Sequence, residues 1–151
     1  MSWSQLETEA PELAALARER LARGFGLLGT VRADGSPRVS PIETLLLDGE
    51  LVLGIMRRSG KARDLRHDPR VALQSPVSDP NSGEPELKLY GRAEPSGAEA
   101  GWWRERPGTA DVYRVELAEA LHIEWDVASA TMRVCRWRPG RGVSVAEHGY
   151  P

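Results

Sequence analysis

The chain has 151 residues, a formal charge of -2, 40% apolar residues and 28% charged residues, the makeup of one globular domain with an ordinary core. This balance gives no general attraction to nucleic acid, and no apolar run is long enough for a membrane-spanning helix. The lone Cys135 excludes an internal disulfide, and the scattered His67, His122 and His148 offer no metal-ligand spacing.

The opening "MSWSQLETEAPEL" carries acids where a secretory signal would carry basic residues and then an apolar run. With the single cysteine, this gives the expectation of a cytoplasmic protein. Thr8 to Arg23 reads as an amphipathic helix with Leu13, Leu16, Ala17, Arg20 and Leu21 on one face and Gly24 as its stop. The period then changes. Asp34-Gly35 and Asp48-Gly49 punctuate apolar runs, so a meander of strands is predicted at about 25–33, 36–47 and 50–56. Within "SPRVSPIETLLL", Pro37 and Pro41 cannot donate to a ladder, which makes this an edge strand or one whose free side meets a ligand.

"RRSGKARDLRHDPR" follows, with six Arg or Lys and one His in fourteen residues, Arg57 to Arg70. A short helix is predicted from Lys61 to its stop at Pro69. Unpaired amides and the dipole at a helix start favour an anion, and basic residues there are otherwise disfavoured. Ser59 and Lys61 would add a hydroxyl and a mobile cation, and Arg57, Arg58 and Arg63 further charge-assisted bonds. The alternative is a solvated face on which Asp64 offsets Arg63 and Asp68 offsets Arg66. Only Lys61 and Lys88 are lysines among twenty basic residues, so each marks a place where a compact ammonium replaces the usual guanidinium.

Beyond this stretch, strands are predicted over 70–75 and 86–94, a turn-rich loop over 76–85, and a short helix over 96–108. Two or three more strands follow in "DVYRVELAEALHIEW" and "ATMRVCRWRP", then a polar, poorly packed tail from Gly140. His122 reads as a packed histidine and Cys135 as a small buried residue; of Trp102 and Trp103, neighbours on a helix, one should enter the core. The whole is a single domain over 1–151, mostly β, with about six antiparallel strands in a small barrel and peripheral helices.

In order, "SPRVSPIE", "LVLGIMRRSGKARDLRHDPRVAL" and "ELKLYGRAE" resemble the pyridoxamine 5'-phosphate oxidase-like split-barrel family, most closely over Phe25 to Pro95. The resemblance implies a homodimer binding FMN, or a deazaflavin such as F-420, at the subunit interface. It places Arg38, Val39, Ser40, Pro41, Ile42 and Glu43 along the ring and ribityl chain, with Arg38 near the phosphate. It sets Gly54 and Ile55 against the ring, Ser59 and Lys61 on the phosphate, and Glu86 at a polar contact, with Lys88 on the same strand face. Many members have Ser-Arg-Lys where this chain has Ser59-Gly60-Lys61, so Arg57 or Arg58 is the expected substitute for the missing arginine. The late Arg-Leu-His substrate motif of the true oxidases is absent, so vitamin B6 oxidase activity is not expected.

The expected function is flavin-dependent hydride transfer with a small-molecule substrate, no catalytic residue being assignable. The alternative is a non-catalytic flavin or haem binder on the same scaffold. No nucleic-acid, membrane or metal partner is expected.

Overall fold

The computed structural model describes residues 1–79, 81–99 and 101–150. The expected N-terminal helix is two helices, α1 (Trp3–Glu9) and α2 (Pro11–Leu21). Pro11 has no N–H with which to continue α1 and pushes its predecessor out of helical geometry; Ala10 accordingly sits at φ -146°. Leu13, Ala14, Ala17, Arg20 and Leu21 are the buried stripe of α2. Arg20 enters it because Glu84 meets its guanidinium at 2.7 Å.

Next come β1 (Phe25–Val31), β2 (Pro37–Glu43), β3 (Leu45–Leu47) and β4 (Glu50–Met56). Asp48 and Gly49 turn between β3 and β4 with φ of 50° and 75°, as a two-residue hairpin requires. The remaining elements are α3 (Gly60–His67), β5 (Arg70–Gln74), β6 (Glu86–Pro95), a 3-10 turn at Trp102–Glu105, β7 (Ala110–Asp126), β8 (Thr131–Arg138) and β9 (Gly142–Gly149).

The sheet has nine strands rather than about six. One is gained because the strand expected over 36–47 breaks at Thr44, whose amide turns to the Gly24 carbonyl. Another is the tail, which pairs with β8 along its whole length as β9; a strand exposed on both faces carries no hydrophobic alternation to read. The helix expected over 96–108 shrinks to the 3-10 turn.

All pairings are antiparallel, in the order β2-β1-β5-β6-β7-β4-β3, with β8 added on β7 and β9 on β8. The fork is β7. Its first residues pair with β4 and its last with β8, both along the edge opposite β6. Beyond the fork β4 curls back toward β2, although no ladder joins them. That leaves the outer edge of β2 open. Leu28, Ile42, Leu53, Ile55, Leu87 and Leu89 fill the interior, which Trp3, Leu6 and α2 extend on one side. Each such buried side chain contributes about 1.5–3 kcal/mol. The opposite face of β1, β2 and β6 leaves Phe25, Leu27, Val39 and Tyr90 exposed. No described helix is long and apolar enough to cross a membrane.

Candidate functional site

The open edge of β2 is set by its prolines. Pro37 and Pro41 stand opposite Val31 and Leu27, and neither can donate an N–H, so these pairs are not the hydrogen-bonded ones. The backbone groups of residues 37, 39, 41 and 43 therefore face outward, with only Val39 and Glu43 supplying N–H donors. The Pro41 carbonyl accepts from Lys61 Nζ at 2.6 Å. This ties the first turn of α3 to the free edge, and burial pushes the Lys61 ammonium below the ordinary lysine value.

Ser59 is the N-cap of α3, its Oγ accepting from the Ala62 amide at 3.2 Å. The Gly60 and Lys61 amides precede any intrahelical acceptor. One turn on, Asp64 is turned inward and is 5% exposed. Its Oδ2 accepts from Thr30 Oγ1 and from Arg38 Nε, both at 2.7 Å. Burial alone would raise the Asp64 carboxyl, but the Arg38 and Thr30 hydrogen bonds hold it below its usual value. Gripped through Nε, the Arg38 guanidinium lies over Gly60; a Cβ there would come within 2.8 Å of Arg38 Cζ and Nη1. The space left by the missing side chain at position 60 is thus filled from β2. The helix start, the Ser59 hydroxyl and the Arg38 guanidinium meet at Gly60, and the next residue, Lys61, carries its ammonium to the Pro41 carbonyl, donor types suited to a phosphate.

The charge pairing expected for a solvated α3 is not found. Asp64 pairs with Arg38 rather than Arg63, Asp68 with Arg70, and Arg66 with Asp111. Among the described residues no carboxylate pairs with Arg58, Lys61 or Arg63.

Beside this corner, β2, the end of β4 and the 3-10 turn enclose a groove of about 520 Å³. Of the residues the resemblance placed against the cofactor, Pro41, Ile42, Glu43, Gly54 and Lys61 line it, while Arg38 and Ser59 do not. Trp102 forms one wall while Trp103 enters the core, their rings perpendicular at 6.1 Å. Gly54 is required by that packing: a Cβ on it would lie 2.1 Å from Trp103 Cε3. Phe25, Met56, Glu105 and Arg106 complete the lining. None was found from sequence, because residues in a 3-10 turn or at a strand end follow no period.

Other expected site residues lie elsewhere. Ser40 is half-buried, and the Ile55 side chain is wholly inside the core. Arg57 is held by Asp111 in a second cavity, and Arg58 is exposed. Neither fills the gap at Gly60, which Arg38 occupies. Glu86 and Lys88 do share a face, paired at 2.9 Å. Lys88 borders a shallow depression of about 280 Å³ with Leu27, Val39 and Tyr90 on the outer face, outside the groove. Cys135 and His122 are buried. Burial raises the Cys135 thiol and lowers the His122 imidazole.

A family model described as pyridoxamine 5'-phosphate oxidase matches residues 12–121. Curated protein sequences give no match. Among solved structures, PhzG from Burkholderia lata 383, in complex with tetrahydrophenazine-1-carboxylic acid, is similar at 15% identity and a TM-score of 0.67 over 90% of this chain and 89% of that one. A heme binding protein from Mycobacterium smegmatis is similar at 17% identity and a TM-score of 0.58, over 87% of this chain and 86% of the other. HutZ, the heme storage protein from Vibrio cholerae, is 18% identical with a TM-score of 0.55, over 72% and 89%. At these identities the likeness is one of fold.

Proposed function

Because the chain belongs to the pyridoxamine 5'-phosphate oxidase family, we propose that it binds FMN beside β2 and serves hydride transfer to or from a small-molecule substrate. The observation that carries this reading is the Arg38 guanidinium, anchored by Asp64 and laid over Gly60 at the start of α3. With the Ser59 hydroxyl, the Lys61 ammonium and the first α3 amides, it makes a phosphate seat that needs no arginine at position 60. Bound FMN supplies the hydride-carrying ring; the protein supplies position and charge. Here the outward N–H groups of Val39 and Glu43 offer donors along β2, and Trp102 walls the groove. A deazaflavin bears a similar phosphate side chain, so the same seat serves it.

Vitamin B6 oxidase activity is not proposed, since the late substrate motif is missing. Phe25 belongs to both the groove and the exposed apolar face. We therefore assign that face, with Leu27, Val39 and Tyr90, to self-association into a homodimer, which brings a second subunit up to the groove and to Lys88. Haem binding is the second reading, favoured by the two haem-protein neighbours. The groove lining includes no His or Cys and places Lys61 inside, which suits a phosphate better than an iron porphyrin.

Titration of the purified protein with FMN, followed by flavin fluorescence, tests the reading. Lys61→Ala and Arg38→Gln should each weaken binding by about ten- to a hundredfold, as expected for a lost charge-assisted bond. Unchanged affinity in both variants removes the phosphate seat, and a Soret band on haem titration with no FMN binding replaces the cofactor.

A further inference from the structure

Behind the 3-10 turn lies a cavity of about 770 Å³, larger than the FMN groove, between the start of β7, the 95–99 segment and α3. Its size is within the usual range of small-molecule sites. Asp111 is part of its lining, accepting from Arg57 Nε and Arg66 Nη1, both at 2.9 Å. One carboxylate thus holds two guanidiniums. The Arg57 bond uses Nε alone, leaving the terminal amino groups, a planar fork matched to a carboxylate. Arg104 and Glu99 also line the cavity, so three guanidiniums face two carboxylates.

Tyr113 supplies a neutral donor beside the arginines. It lines the same cavity, its ring is packed in the core at 7% exposure, and its hydroxyl makes no hydrogen bond among the described residues. That O–H is therefore free to donate to a molecule in the cavity. Burial, then the Asp111 charge, raises its pKa, so the group remains an O–H donor. Trp103 and Pro107 add apolar wall, and the indole Nε1 fixes the loop by donating to the Ala98 carbonyl at 2.9 Å.

We propose that this cavity is a second binding site, separate from the FMN groove, for a small organic monocarboxylate with a flat apolar body. Its carboxylate is received by the Arg57 fork and the Tyr113 hydroxyl. A single excess positive charge selects a monoanion; Asp111 and Glu99 disfavour a phosphate dianion. Asp111 acts as the internal competitor that holds the two arginines in place.

Isothermal titration of the full chain with benzoate, and with benzamide as its neutral isostere, tests this. Benzoate should bind saturably and at least about tenfold more tightly than benzamide, the scale of a charge-assisted bond. Arg57→Gln and Tyr113→Phe should each weaken benzoate, Asp111→Asn should strengthen it, and Lys61→Ala should leave it unchanged. Tyr113→Phe removes no bond seen within the fold, so its effect is not a folding defect. Absence of saturation by about 10 mM, weaker than the millimolar range, overturns the proposal. So do equal affinities for the two probes, wild-type binding in both Arg57→Gln and Tyr113→Phe, or loss of binding in Lys61→Ala.

Discussion

Replacing Asp64 with alanine tests the pin that joins α3 to β1 and β2. The substitution strands the Thr30 hydroxyl, which is 3% exposed, at a cost of about 1–3 kcal/mol. It also removes the carboxylate on Arg38, whose side chain is 29% exposed; that guanidinium recovers water, so its share is about 1 kcal/mol. The sum, about 2–4 kcal/mol, is a large part of an ordinary domain's stability. Asp64→Asn keeps an acceptor for one of the two donors and should cost roughly half as much. Urea unfolding measures both, with the slope unchanged. A cycle with Arg38→Met should return a coupling above about 0.5 kcal/mol. Because the folded carboxyl lies below its usual value, this contribution is complete above about pH 4 and disappears as pH falls through the lower folded value. An alanine variant within about 0.5 kcal/mol of wild type, the range of a neutral surface change, or a coupling near zero would refute the reasoning.

Gly60→Ala should separate stability from binding: alanine favours the helix by about 1 kcal/mol, yet its Cβ displaces the flexible end of Arg38, so thermal stability holds while FMN affinity falls. Gly54→Ala meets a rigid indole instead, and should lower stability by about 1–3 kcal/mol or expel Trp103, visible in near-UV circular dichroism. Lys61 must be protonated to hold a phosphate, and its folded value is lowered. FMN affinity should therefore decline with rising pH earlier than an ordinary lysine near 10.4 would give, and Lys61→Arg should restore it at high pH. Val39→Asp, on the exposed face of β2, should give monomers in sedimentation while leaving the monomer folded.

The sequence revealed most where local chemistry repeats or punctuates. Asp48-Gly49 marked its hairpin because both residues adopt positive φ, and the prolines of β2 marked an unpartnered edge. Ser59 and Lys61 stood out because a basic helix start is otherwise unfavourable. Adjacency alone implies that one of the paired tryptophans enters the core, and Trp103 does; the spacing does not say which, nor that Trp102 would wall a groove. What remained hidden was nonlocal. Nothing in the spacing indicates that Asp64 would reach back to Arg38, 26 residues earlier, or that Asp111 would collect Arg57 and Arg66 from 54 and 45 residues away. Arg57 or Arg58 is the neighbour expected to cover Gly60, and the guanidinium that lies over it belongs to Arg38 of β2. The tail reads as loop because β9 buries neither face; its order comes from the ladder with β8 and from Tyr150 packed edge-on against Trp125, both nonlocal.

Trp103 lines the larger cavity on one side, and across its ring it presses on Gly54, which lines the groove beside β2. A single rigid indole is therefore the party wall between two chambers that no hinge or domain boundary separates. Replacing the other four tryptophans with phenylalanine would leave one emitter whose wavelength reports the filling of either room.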